Sequence, residues 1–89
     1  SMSTLHIFSK TLSHYCINTL ENLIDSNHAV LLVGDACYNI NQFKQFSATL
    51  HLLEEDAIAR AISLNESDFH ISYAEFVELT LSAQNTITW

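Results

Sequence analysis

Ala29-Val30-Leu31-Leu32-Val33-Gly34-Asp35 is an unbroken apolar run closed by a glycine and a carboxylate. A strand with one wet face alternates apolar and polar residues. A continuous run of this length suits a strand buried on both faces, as in a parallel sheet with helices above and below. Asn27 and His28 before it and Gly34-Asp35 after it bound the run too tightly for a helix. The stretch is therefore expected to be the central strand of a small α/β domain.

The flanks fit that frame. Leu5-His6-Ile7-Phe8 reads as a short strand, with Ser9, Thr11 and Ser13 after it as N-cap candidates. Over residues 12–24, apolar side chains at 12, 16, 20, 23 and 24 make a helical stripe. Strand, helix and buried strand form one βαβ unit with a right-handed crossover. Residues 36–46 carry Ile40, Phe43 and Phe46 at spacings of three, which suits a short helix; Asn39 and Asn41 favour an irregular turn. Residues 49–53 alternate as a third strand, with Leu50 and Leu52 on one face and Thr49, His51 and Leu53 on the other. Glu54-Glu55-Asp56 opens a helix at its positive end, and Ala57, Ile58, Ala61 and Ile62 give it a packing face. A turn is expected over residues 65–68, then a strand at Phe69-His70-Ile71. Ser72-Tyr73-Ala74-Glu75 fits a capping box at the start of the last helix, whose inner face is expected to be Phe76, Val77 and Thr80. Residues 86–89 fit a brief edge strand.

Eighty-nine residues suffice for one domain, residues 1–89, with Ser1 before Met2 read as a tag remnant. No run approaches the roughly 18 apolar residues of a spanning helix, and no signal peptide opens the chain, so a soluble cytoplasmic protein is expected. Ten acidic and three basic side chains give a net charge of −7. Lys10, Lys44 and Arg60 are scattered and form no phosphate-binding stripe, which argues against direct nucleic-acid binding. Charged residues make up 15% and apolar ones 48%. So little charge on so small a domain points to an apolar face buried by another subunit; a surface dressed with Ser, Thr and Asn is the alternative.

Few residues suggest chemistry. Ligands of parallel sheets bind beyond the strands' carboxyl ends, here Ser9-Lys10, Gly34-Asp35, Glu54-Glu55-Asp56 and Ser72. There is no glycine-rich phosphate loop, and no cofactor is implied. Asp35 with Glu54, Glu55 or Asp56 has the chemistry for magnesium, but capping and compensation of a helix dipole explain these carboxylates better. Cys16 and Cys37 show no zinc-like or Cys-x-x-Cys spacing, and a disulfide is not expected in a reducing cytoplasm. Cys37, just past the central strand, is the stronger candidate for an activated thiolate; its alternative is a small packed residue. Cys16, on the inward stripe of the first helix, is expected to be buried. His6, His51 and His70 fall on strands and His14 and His28 near helix ends, and their spacing defines no catalytic pairing.

Leu5-His6, the Leu-Leu-Val-Gly-Asp strand end, Leu53-Glu54-Glu55-Asp56-Ala57-Ile58-Ala59-Arg60, the segment Ile71-Ser72-Tyr73-Ala74-Glu75-Phe76-Val77-Glu78-Leu79-Thr80 and the terminal Trp89 together resemble the TusB/DsrH family over nearly the whole chain. The resemblance implies a three-layer α/β/α sandwich with a mostly parallel sheet of four to five strands, DsrE/F/H-like. It also implies a place in a sulfur relay. TusB-like proteins assemble with the paralogues TusC and TusD into a dimer of heterotrimers, which takes persulfide sulfur from TusA and passes it through TusE toward 2-thiolation of the tRNA wobble uridine. In that scheme the sulfur-carrying cysteine belongs to TusD, and TusB-like subunits are scaffold. In the DsrH branch of sulfur oxidisers a cysteine on the first helix takes part in transfer. Counting back from Gly34-Asp35 places that position near Leu20, with Cys16 one turn earlier, which favours the TusB-type branch.

The leading expectation is thus a non-catalytic subunit of a TusBCD-like sulfurtransferase complex. Arg60 and Trp89 are interface candidates, because Arg and Trp are enriched at hot spots. The alternative for Arg60 is an ion pair with Asp56 at i, i+4, and for Trp89 an edge residue covering its own core. The rival functions are a cysteine-dependent sulfur carrier through Cys37 or Cys16 and an independent acidic homodimeric binding protein.

Overall fold

A computed structural model describes residues 3–65 and 69–89. Five strands, β1 (Thr4–Phe8), β2 (Ala29–Leu32), β3 (Thr49–Leu53), β4 (His70–Ile71) and β5 (Asn85–Thr88), form one sheet in the order β4-β3-β2-β1-β5. All four pairings are parallel, with Leu5 beside Ala29 and Thr86, and Ala29 beside Thr49. The apolar run is the middle strand, and every residue of β2 is buried.

Alternation within the strands divides the core in two. Phe8, Val30, Leu32 and Leu52 face one layer, where they meet Leu20, Ile24, Ile40, Phe43 and Ala57. Leu5, Ile7, Ala29, Leu31 and Ile71 face the other and meet Phe76, Leu79 and Ala83. Among the described residues, the first layer holds α1 (Ile17–Leu23), α2 (Ile40–Phe43) and α3 (Glu54–Ala59), and the second holds α4 (Tyr73–Ser82). Right-handed crossovers dictate this division. The steps β1 to β4 run one way across the sheet and put their helices on one face; the step back to β5 puts α4 on the other. The fold is the expected three-layer α/β/α sandwich, with a fully parallel sheet.

Several local expectations are corrected. The stripe over residues 12–24 is not one helix. A 3-10 turn at Leu12–His14 is followed by extended backbone at Tyr15 and Cys16, and α1 begins only at Ile17. Tyr15 causes the break: its ring packs edge-on against Phe8 at 5.1 Å, and its hydroxyl accepts the Lys10 N–H at 3.2 Å. Leu20 and Ile24 are buried as expected, but Cys16 becomes the exposed N-cap residue of α1. Ser9, Thr11 and Ser13 cap no helix; Thr11 Oγ1 instead lies 3.1 Å from both Ser13 Oγ and His14 Nδ1.

Residues 36–46 combine both expected forms, a 3-10 turn at Gly34–Asn39 running into α2, with Ile40, Phe43 and Phe46 buried. Helix α3 stops at Ala59, because Ala61 takes the left-handed conformation at φ 55°. The N–H groups of Ala61 and Ile62 close back on the carbonyls of Ile58 and Ala57, both at 3.0 Å, a Schellman ending. Only Ala57 of the expected packing face is buried, and Ile58 is 63% exposed. The capping box is present: Glu75 N–H donates to Ser72 Oγ at 3.2 Å, and Ser72 N–H to Glu75 Oε1 at 3.0 Å. On α4 the inner face is Phe76 and Leu79, continued by Ala83 at its C-cap, while Val77 points to solvent. The turn expected over residues 65–68 falls mainly on residues 66–68, outside the described ones.

Candidate functional site

The carboxyl ends of β1, β2 and β3 converge on Gly34. Its φ of +53° and its approach to Ser9 explain the glycine: a Cβ here would lie 3.1 Å from the Ser9 carbonyl oxygen. Gly34 N–H donates to Asp56 Oδ2 at 2.8 Å, and Asp35 N–H to the Ser9 carbonyl at 3.2 Å. Arg60 then crosses the opening. Its Nε donates to Asp35 Oδ1 at 3.0 Å and its Nη1 to the Asp56 carbonyl at 3.2 Å. The expected i, i+4 pairing of Arg60 thus goes to the Asp56 backbone, while the ion pair goes to Asp35, which raises the guanidinium pKa further. The three side chains tie three strand ends together.

The carboxylates considered for magnesium do not converge. Asp35 faces Arg60, Asp56 caps the Gly34 N–H, and Glu54 Oε2 pairs with His70 Nδ1 at 2.9 Å. Among the described residues no group of three or more His, Cys, Asp or Glu side chains is placed to hold a metal ion. Glu54, Glu55 and Asp56 sit in the first turn of α3, where they offset its dipole.

The two thiols exchange their expected characters. Cys37 is fully buried under the sheet edge, its Sγ 3.6 Å from the Leu32 carbonyl. Burial, reinforced by the Asp56 carboxylate, pushes its pKa up to about 11. Cys16 is exposed, and the Thr19 hydroxyl, then the backbone N–H groups of Thr19 and Asn18, hold its pKa below the ordinary thiol value. Of the two thiols, Cys16 is thus the accessible one with the lowered pKa, and Cys37 the packed one.

A network that spacing could not reveal joins Trp89, His6 and His28. Trp89 Nε1–H donates to His6 Nδ1 at 3.0 Å, which leaves the His6 proton on Nε2, facing His28 Nδ1 at 2.9 Å. His28 Nδ1 also accepts the Asp25 N–H at 3.2 Å. The Trp89 ring lies parallel to Phe8, centroids 5.8 Å apart, and turns inward over its own core. Partners 22 and 83 residues apart leave no local pattern; the one signal was a histidine inside an otherwise apolar strand.

Two hollows remain. Because β4 pairs only with Leu52 and Leu53, a groove of about 480 Å³ opens beside the start of β3, lined by Ile40, Phe46, Leu50 and Phe69. A smaller one, about 340 Å³, lies between β3 and α4 and is bordered by His51, Glu75 and Glu78. The His51 Nδ1 in its wall is buried with no hydrogen-bond partner among the described residues. No helix among the described residues is long and apolar enough to cross a membrane.

Comparison with known proteins covers most of the chain. Residues 12–86 match the family described as DsrH-like protein. Protein TusB of Yersinia enterocolitica is 32% identical over 85 aligned residues, which cover 85% of this chain and 90% of that one. The solution NMR structure of protein Tm0979 from Thermotoga maritima superposes with a TM-score of 0.65 at 16% identity, over 86% of this chain and 91% of that one, a likeness of fold alone.

Proposed function

Because this chain belongs to the DsrH-like protein family, we propose that its sulfur-relay role is that of a non-catalytic subunit in a TusBCD-like sulfurtransferase complex. The complex would serve 2-thiolation of the tRNA wobble uridine in the cytoplasm. Its partners are TusC-like and TusD-like paralogues in a dimer of heterotrimers, with TusA-like and TusE-like carriers on either side. The observation that carries the non-catalytic part is Cys37. It is the cysteine at the strand ends, where ligands of parallel sheets bind, and it is packed away with its thiol pKa raised to about 11. Arg60, Asp35 and Asp56 are spent on tying loops together. The three cations sit apart, after β1, at the end of α2 and at the end of α3, so the tRNA is left to other subunits.

Native mass spectrometry of the chain co-expressed with the TusC-like and TusD-like proteins of its organism tests this. A heterotrimer or its dimer is expected. A chain that stays alone or pairs only with itself overturns the reading.

One observation favours a second reading, a sulfur carrier in its own right: the exposed, acid-shifted Cys16. Its thiolate would attack the terminal sulfur of a donor persulfide, forming a Cys16 persulfide and releasing the donor thiolate. A mass gain of one sulfur that is lost in Cys16→Ser and kept in Cys37→Ser would establish it. Transfer unaffected by Cys16→Ser leaves the scaffold reading.

A further inference from the structure

Helix α4 carries two apolar faces. Phe76, Leu79 and Ala83 cover the sheet. Tyr73, Val77 and Leu81, at i, i+4 and i+8, form a second ridge at 57%, 41% and 80% exposure. Scattered apolar residues on a surface need no explanation, but three in register on one helix form a continuous strip. The strip is bordered by Glu78, and α4 carries Glu75 and Glu78 with no cation. Lys10 follows β1, while Lys44 and Arg60 end α2 and α3, in the opposite layer. Helix α4 thus presents two carboxylates and no lysine or arginine of its own.

We infer that the Tyr73–Val77–Leu81 ridge is the docking face of this subunit, and that its occupant is an apolar groove or helix of a partner subunit flanked by lysine or arginine side chains. This rests on the subunit reading above and assigns it a surface. Charge decides the occupant. A second copy of this chain, packed antiparallel about Val77, would bring Glu78 toward its own counterpart and join two chains of net charge −7. A basic rim on the partner turns the same carboxylates from a penalty into steering and register. The apolar strip supplies the affinity, and the acidic border selects against self-pairing.

The test uses the full chain co-expressed with the TusC-like and TusD-like paralogues, read by native mass spectrometry and by titration at low and high salt. Val77→Asp and Leu81→Asp are each expected to weaken association by about tenfold or more, the loss of a hot-spot side chain. Glu78→Lys keeps the apolar strip; it is expected to weaken binding less and to flatten its salt dependence. Gln42→Glu, an added carboxylate in the opposite layer, is the control and should change nothing. The α4 positions point to solvent, so circular dichroism should match the wild type; if Val77→Asp fails to fold, Leu81→Asp decides. Wild-type assembly with Leu81→Asp equally tight overturns the inference and leaves the subunit reading intact. No assembly of the wild type overturns both. A wild-type homodimer dissolved by Leu81→Asp overturns the choice of a basic partner.

Discussion

The same side chain, a cysteine thiol, acquires opposite chemistry at two positions of this chain. Cys37 is sealed beneath the Gly34 loop with its pKa raised to about 11, while Cys16 is exposed with its pKa lowered by Thr19 and Asn18. Thiolate fraction and access together set reaction rate. At pH 8, iodoacetamide should therefore modify Cys16 in the folded protein and Cys37 only after denaturation, as peptide mass mapping would show. Comparable rates at both sites would contradict the burial of Cys37. Histidine gives a second contrast with ordinary behaviour. His6 is 1% exposed, and burial followed by the nearby His28 lowers its pKa; burial also lowers that of His51, against the opposing pull of Glu75. A histidine with a depressed folded pKa leaves the folded state with fewer protons than the unfolded one, so stability rises with pH through this window. The contribution is complete above the unfolded value of 6.5 and is lost as pH falls from there through the folded pKa. Protonated His6 would also place a proton on Nδ1, against the Trp89 N–H. Urea melts should thus show lower stability at pH 5.5 than at pH 7.5. Trp89, the one tryptophan, should report the loosening by its fluorescence. A flat profile over that range would mean the histidine chain is open in solution.

Helix boundaries show which physics a sequence exposes. The capping box was legible because Ser72 and Glu75 are three residues apart and satisfy each other. The carboxylates opening α3 were legible for the same reason, since the dipole they offset is local. The break before α1 was not, because it is made by Phe8 across the core and by Asn39, whose Oδ1 accepts the Leu12 N–H at 2.8 Å from 27 residues away. That hidden break is also what moved Cys16 from an expected inward stripe to an exposed cap. The end of α3 was equally hidden, because an alanine occupies the left-handed position that glycine usually marks. The left-handed region costs a non-glycine residue about 1–2 kcal/mol, offset in part by the extra freedom of an unfolded glycine. Ala61→Gly should accordingly stabilise the protein by about 0.5–1 kcal/mol. Ser72→Ala should destabilise it by about 1 kcal/mol through loss of the N-cap. Denaturant midpoints at constant slope would verify both; a destabilised Ala61→Gly would mean the Cβ makes a contact worth more than its strain.

Strand order could not be read from periodicity, because a five-stranded parallel sheet of these lengths has several orders with the same residue patterns. The central strand could be read, since only a strand flanked by neighbours and covered on both faces tolerates an unbroken apolar run. The finished sheet makes stability uneven. β2 is buried throughout, whereas every residue of β5 is exposed and β4 pairs through two residues. The edges are therefore the places to open first, and the middle should open only with global unfolding. Leu31 lies at the centre, fully buried between β1 and β3 beneath α4. Truncating it removes transfer free energy and leaves a cavity that fixed strands on both sides cannot close, so Leu31→Ala should cost about 2–5 kcal/mol. In a domain of this size that is a large part of a total of about 5–15 kcal/mol. Leu81→Ala, on the outer ridge of α4, should stay within about 0.5 kcal/mol. The two leucines differ only in place, so chemical denaturation of the isolated chain separates them cleanly. A large loss at Leu81 would mean that the ridge is already covered in the isolated protein. A small loss at Leu31 would mean that the sheet has not closed around its middle strand until a partner arrives.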